Sequence, residues 1–217
     1  MQKIGLFGGT FDPVHYGHLA VGKAALEQLD LDSLIFIPAP SPPHKQSDKI
    51  TPFYHRLAML ELAIGEDHGF SVSPIEAELQ GLSYTIDTLT ILRRRFKGDV
   101  TFFYVIGLDA FAEISTWKQY QLLLSEVSFV VIDRPSHDNK TCEEIVCTEL
   151  HGYSASGEGC WRNENGSTVY RLVMDPVAVS STEIRELLRN GKAVEEMVPP
   201  AVIEYIQAKS LYARDIL

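Results

Sequence analysis

The chain has 217 residues, 45% hydrophobic and 22% charged, the balance of one globular domain rather than of a disordered or fibrous chain. Nineteen Lys plus Arg stand against 29 Asp plus Glu, a net charge of −10. That argues against a protein that clamps long nucleic acid, and a small phosphorylated ligand would need positive charge gathered in one cleft.

Lys3 to Phe7 reads as a short buried strand running into Gly8-Gly9-Thr10-Phe11-Asp12-Pro13, a stretch of turn formers that predicts a loop. Leu19, Gly22, Ala25, Leu26 and Leu29 then recur at helical spacing from His18 to Leu29, and Ser33 to Pro38 is a second apolar strand, which completes a βαβ unit. Thr51 as cap and Pro52 at the first position predict a helix to Ile64 whose apolar face carries Leu57, Leu60, Ala63 and Ile64. Phe70 to Ser73 reads as a strand, Thr85 to Phe96 as a helix and Thr101 to Ile106 as a strand bounded by Gly107. A short helix around Leu122 to Leu124 precedes a strand over Val127 to Asp133.

Residues 136–168, rich in Gly, Ser, Asn and Glu with a weak helical patch near Cys142 to Leu150, read as a surface insertion. Ser180-x-x-Glu183 has the form of a capping box opening a helix that Gly191 ends, and Pro199-Pro200 start a last helix through Lys209. Strands alternating with helices predict an α/β fold: one Rossmann-like, doubly wound parallel sheet in a single domain, helices on both faces, with its ligand crevice beyond the carboxyl ends of the strands.

The opening MQKIGLFGGTF has no cationic segment followed by a sustained apolar run, and no run nears the roughly 20 residues of a membrane span, so the expectation is a cytoplasmic protein off the membrane. Three cysteines argue against a disulfide framework. Cys142-x₄-Cys147-x₃-His151 with Cys160 is too irregular for a zinc site, and Arg93-Arg94-Arg95 with Lys97 is read as cations favoured at a helix C-terminus rather than as a nucleic-acid patch.

The chemistry concentrates in residues 8–18. Phosphate binding after a strand needs outward N–H groups and a helix whose positive end faces the anion. Gly8 and Gly9 permit close backbone approach, and Thr10 adds a hydroxyl. Neither G-x-G-x-x-G nor the Walker spacing is present. Instead His15 and His18, three apart around Gly17 at a loop-to-helix junction, can both donate to oxygens that gain charge as phosphorus becomes five-coordinate.

The run GGTFDPVHYGH matches the T/H-x-G-H signature of the nucleotidyltransferase superfamily, and its Gly-Gly-Thr-Phe-Asp-Pro start resembles the bacterial nicotinate mononucleotide adenylyltransferases. Further segments follow in that family's order. Pro42-Pro43-His44-Lys45 resembles its mobile substrate loop, Ser83 to Thr88 (SYTIDT) its mononucleotide-binding turn, and Ile106-Gly107-Leu108-Asp109-Ala110 with Trp117 the rest of that pocket. Arg134-Pro135 and Val179 to Arg185 (VSSTEIR) resemble its ATP side.

The resemblance implies adenylyl transfer from ATP to nicotinate mononucleotide, forming nicotinate adenine dinucleotide (deamido-NAD) and pyrophosphate in NAD biosynthesis. Both reactants are anions, so catalysis is mainly positioning and charge neutralisation. Gly8, Gly9, Thr10 and Phe11 would hold the α-phosphate, and His15 and His18 would stabilise the transition state. Ser180, Ser181 and Thr182 at a capped helix start, with Arg134 and Arg185, would take the β- and γ-phosphates. On the acceptor side, His44 and Lys45 would approach a phosphate and Asp109 beside Gly107 the ribose, while Trp117 would stack on the pyridine ring. The resemblance places Thr85 at the nicotinate carboxylate. Mg²⁺ is implied, bound mainly through ATP phosphates, with no protein ligand assigned. The alternatives are a pantetheine-phosphate or other small-phosphate nucleotidyltransferase and a regulatory nucleotide-binding module without catalysis. A homo-oligomer is left open.

Overall fold

The computed structural model describes residues 1–40, 50–79, 83–132, 140–175 and 177–213. Four runs of apolar residues become the centre of the sheet: β1 (Gln2–Gly9), β2 (Ser33–Pro38), β4 (Val100–Gly107) and β5 (Ser128–Ile132). Such continuous runs suit parallel strands covered on both faces. With β3 (Phe70–Val72), β6 (Tyr153–Gly157), β7 (Cys160–Asn163) and β8 (Thr168–Leu172) they form one eight-stranded sheet in the order β3-β2-β1-β4-β5-β8-β7-β6. Pairing is parallel from β3 to β8 and antiparallel through β8-β7-β6.

The helices α1 (Tyr16–Leu29), α2 (Phe53–Ile64), α3 (Thr85–Arg95), α4 (Leu108–Ala112), α5 (Tyr120–Glu126), α6 (Cys142–Glu149), α7 (Ser181–Arg189) and α8 (Pro200–Ala208) divide between the two faces. Ile4, Leu6, Phe102 and Ile106 point to one core with Ile86, Leu89, Phe111, Leu123 and Ile145 of α3 to α6. Phe7, Phe36, Phe103 and Val105 point to the other with Val21, Met59, Ile184 and Ile203 of α1, α2, α7 and α8. This is the expected doubly wound single domain.

Several expectations need correction. Gly8 and Gly9 pair with Ile37 and Pro38, so β1 continues through the glycines rather than stopping at Phe7. Pro52 stands just before α2, and Thr51 contributes its backbone rather than a side-chain cap. The residues α2 buries are Arg56, Met59 and Leu60. Residues 140–168 are more than a surface insertion: α6 and β7 sink Cys142, Ile145, Val146 and Trp161 into the first core, and the β6–β7 hairpin widens the sheet. α4 was not expected from the sequence. Ser180 caps α7 by accepting from the Glu183 N–H at 3.2 Å, and Gly191 follows its C-cap at φ 64°.

Arg56 is fully buried at 0% exposure. Its guanidinium donates to the carbonyls of Thr51 at 2.9 Å, Thr10 at 2.7 Å and Pro40 at 3.1 Å, tying α2 to the chain that leaves β1. Burial lowers its pKa, and the nearby Asp12 carboxylate opposes that. Lysine keeps the charge but cannot reach three carbonyls from one planar fork. Arg56→Lys is therefore expected to cost about 2–3 kcal/mol in a urea unfolding titration; a change below about 0.5 kcal/mol would show that the fork is dispensable.

Candidate active site

The strand order reverses at β1, whose neighbours are β2 on one side and β4 on the other. In such sheets the crevice beyond the carboxyl ends at this switch point is the place for a ligand. The chain leaving β1 crosses it with Phe11 at φ 50° and a cis Asp12–Pro13 peptide, then enters α1 with His15 as N-cap. Phe11 anchors this loop: its ring is 1% exposed and lies edge-on to Phe7, Phe36 and His18.

His15 and His18 do converge, their rings stacked 3.7 Å apart at 26°. His15 is 3% exposed, whereas His18 is half-buried. The His15 backbone N–H donates to His18 Nδ1 at 3.3 Å, which requires an unprotonated Nδ1 and leaves the His18 proton on Nε2. Gly17 makes the stack possible, because a Cβ there would lie 2.9 Å from Val179 Cγ1 and 3.0 Å from the His15 ring.

On the α7 face the loop is held by groups expected to bind phosphates. Ser181 Oγ donates to the Pro13 carbonyl at 2.9 Å, and Arg185 donates to the Asp12 carbonyl at 2.7 Å and to Thr182 Oγ1 at 3.4 Å. Ser181 and Arg185 thus spend part of their donor capacity on the backbone of residues 12–13. Asp12, read only as a turn residue, is 4% exposed and accepts from the Thr51 N–H at 3.2 Å and the Tyr212 hydroxyl at 2.5 Å. Burial first, and then the Asp12 carboxylate, raise the Tyr212 pKa, so that phenol stays a neutral donor.

On the α3 face, Thr85 is the first residue of α3, and Tyr84 lies under the Lys118 ammonium, 4.6 Å from the ring centroid. Lys118 also pairs with Asp87 at 2.8 Å, joining the start of α3 to the segment that carries Trp117. Trp117 is half-buried against the core, edge-on to Tyr104 at 6.1 Å and 87°. Asp109 is exposed at the start of α4, its Oδ1 folded against Gly107. His44, Lys45 and Arg134 lie outside the described residues.

Glu76, half-buried before α3, accepts from Ser83 Oγ at 3.0 Å and Thr88 Oγ1 at 3.2 Å, fixing the turn around Thr85. Its pKa is raised, chiefly by burial, with the two hydroxyls opposing. A carboxyl that binds its proton more tightly when folded stabilises the fold fully below its ordinary value of 4.5 and loses that contribution as pH rises through the raised value. The stability of wild type relative to Glu76→Gln should therefore fall with rising pH across that window and level off above it. Denaturant titrations from pH 4 to 8 read the sign; a difference that grew with pH would contradict it.

Sequence reasoning missed Arg56, Glu76, Tyr104 and Tyr212. Arg56 carried a signal, an arginine four residues before Leu60 on the buried face of α2. Among the described residues no three His, Cys, Asp or Glu side chains gather as a metal site. Cys142 is buried, Cys147 exposed, and Cys160 lies 3.2 Å from Ser156 Oγ. No helix among the described residues is long and apolar enough to cross a membrane.

The chain matches the family model described as cytidylyltransferase-like over residues 6–187. A probable nicotinate-nucleotide adenylyltransferase of Desulfotalea psychrophila is 42% identical over 214 residues, 98% of this chain and 100% of that protein. Another, of Geobacter sulfurreducens, is 37% identical over 217 residues, 99% and 100% of the two chains. Among solved structures, the nicotinic acid mononucleotide adenylyltransferase of Plasmodium falciparum complexed with APC is alike at a TM-score of 0.72 and 20% identity, over 98% of each chain. At that identity the likeness is one of fold.

Proposed function

This chain belongs to the cytidylyltransferase-like family, and we propose that it works as its nicotinate-nucleotide adenylyltransferase relatives are named to do. It transfers the adenylyl group of ATP to nicotinate mononucleotide, giving deamido-NAD and pyrophosphate. The observation that carries this reading is the placement of the stacked His15–His18 pair at the strand-order switch point, in a loop held by α7 and flanked by the start of α3.

In the reaction the mononucleotide 5′-phosphate attacks the α-phosphorus of ATP in line and pyrophosphate leaves. The backbone from Gly8 to Phe11, at the end of β1 and the start of the loop, holds the α-phosphate. His18, with Nε2–H as its donor, stabilises the charge that builds on the α-phosphate oxygens, and His15 supports it from below through the ring stack. Ser180, Ser181, Thr182 and Arg185 at the start of α7 receive the β- and γ-phosphates, together with Arg134. Thr85, Gly107, Asp109 and Trp117, with His44 and Lys45, take the mononucleotide.

Mg²⁺ belongs to the proposal as an ion that screens the triphosphate when bound. Both Asp12 carboxylate oxygens are engaged by Thr51 and Tyr212, which suits an ion held chiefly by the nucleotide's own phosphates. A cytoplasmic location is proposed because ATP and the mononucleotide are drawn from that pool.

The test is pyrophosphate release with ATP and a panel of phosphorylated acceptors. Turnover with nicotinate mononucleotide above all others supports the reading. Preference for phosphopantetheine would replace it with a different acceptor class, and ATP binding without turnover on any acceptor would point to a regulatory module.

A further inference from the structure

We propose that Tyr212, carried back to the site by the turn after α8, is a positioning residue for the stacked histidines: its hydroxyl holds Asp12, and through Asp12 the chain that leads into His15 and His18. The inference rests on the role given to that pair above and brings in a residue which that role does not use.

α8 closes with the N–H groups of Lys209, Ser210 and Leu211 bonded to the carbonyls of Tyr205, Gln207 and Ile206 at 3.0, 3.1 and 3.0 Å. Ser210 at φ 51° and Tyr212 at φ 61° then take left-handed backbone, a region uncommon for residues other than glycine. The chain folds back there, and Leu211 and Tyr212 pack on the second core. The turn delivers the Tyr212 hydroxyl to 2.5 Å from Asp12 Oδ1. Burial raises the Tyr212 pKa, so the phenol remains a donor.

Asp12 is 4% exposed, and its other oxygen accepts from the Thr51 N–H at 3.2 Å. Arg56 closes a circuit around it, donating to the Thr51 carbonyl at 2.9 Å and to the Thr10 carbonyl at 2.7 Å. Tyr212 braces that circuit from the C-terminal turn. A buried carboxylate oxygen that loses its donor costs more than the bond itself is worth, so Asp12 must shift to find another partner. Only Pro13 and the fully buried Val14 separate Asp12 from His15, which passes such a shift directly to the N-cap of α1 and to the ring stacked on it. Where catalysis is positioning, a small displacement of His18 lowers the rate of the chemical step. The phosphate donors of α7 and the acceptor residues keep their own anchors, so substrate binding is expected to change little.

The experiment compares wild type, Tyr212→Phe, Ile206→Val, His18→Ala and the double variant of Tyr212→Phe with His18→Ala. It measures kcat, KM for ATP and for nicotinate mononucleotide, Tm, and the imidazole NMR signals of His15 and His18. Phenylalanine keeps the ring packing, so Tyr212→Phe should lower kcat about tenfold and leave both KM values within about twofold. It should also shift the His15 and His18 signals and leave unmoved that of His151, which precedes the edge strand β6. Ile206→Val trims the core under α8 and should lower Tm without lowering kcat, which separates positioning from general loosening. Added to His18→Ala, Tyr212→Phe should cost less than about twofold, because the phenol acts through that side chain. A folded Tyr212→Phe with kcat within about twofold of wild type or with unmoved His15 and His18 signals would overturn the inference. So would an equal loss of kcat in Ile206→Val, or a loss undiminished without His18, and each leaves adenylyl transfer standing. Wild type that failed to turn over nicotinate mononucleotide would overturn the functional reading instead, and the imidazole signals would still decide whether Tyr212 holds the histidines.

Discussion

His18→Ala is expected to lower turnover by about 10²–10³ while ATP still binds, the range for losing one preorganised donor to a charged transition state. His18 is the half-buried member of the stacked pair, and its Nδ1 is occupied by the His15 N–H at 3.3 Å. Nε2 is the ring nitrogen proposed to address a phosphate oxygen. Alanine also removes the side chain that accepts at the start of α1, so the variant's Tm should be measured beside its kinetics. Asparagine keeps a local acceptor for the His15 N–H but offers no Nε2 donor; a large loss in that variant too would place the effect on the chemistry. Turnover by folded His18→Ala within about threefold of wild type would reject the role.

The second large effect is discrimination between acceptors. Nicotinate and nicotinamide mononucleotides share ring, ribose and phosphate, so Trp117 and Asp109 should treat them alike. Only the carboxylate differs, and the start of α3 offers backbone amides and the Thr85 hydroxyl to an anion. Exchanging that anion for a carboxamide is expected to cost about 2–4 kcal/mol, roughly 30- to 1000-fold in kcat/KM. Trp117→Ala should weaken both acceptors by similar factors and leave their ratio nearly intact. Equal wild-type efficiencies would refute carboxylate recognition, and a variant that lost one acceptor alone would mean that Trp117 does more than stack. The indole also packs on the core and against Tyr104, so some loss of Tm should accompany the variant.

What was legible in the sequence follows burial. β2 was read to the residue because all but its first residue are buried, and α3 and β4 were read to within a residue or two because the turn formers at their ends are local. The β6–β7 hairpin was not read because β6 is an edge strand with most of its residues exposed, which leaves no buried face to imprint an alternating pattern. α6 carried a cue that went unused: Thr141 and Glu144 form a reciprocal capping box at 3.2 and 2.7 Å. In the site, the run from Gly8 at the end of β1 to His18 in α1 was legible because its chemistry lies in consecutive residues. Arg56 and Tyr212 reach that loop from 46 and 200 residues away in the chain, and Tyr104 looks like one more apolar strand position until the fold sets its hydroxyl beside Gly8. Ser181 and Arg185 were identified for their donors, but that the loop's own carbonyls take some of those donors emerges only in three dimensions.

The most direct test of adenylyl transfer follows the α-phosphorus of ATP. With ATP labelled at that position and nicotinate mononucleotide as acceptor, the account predicts that all transferred label enters the dinucleotide and that unlabelled pyrophosphate appears in equal amount. Label recovered as free AMP, or a phosphorylated acceptor formed with release of labelled ADP, would contradict it.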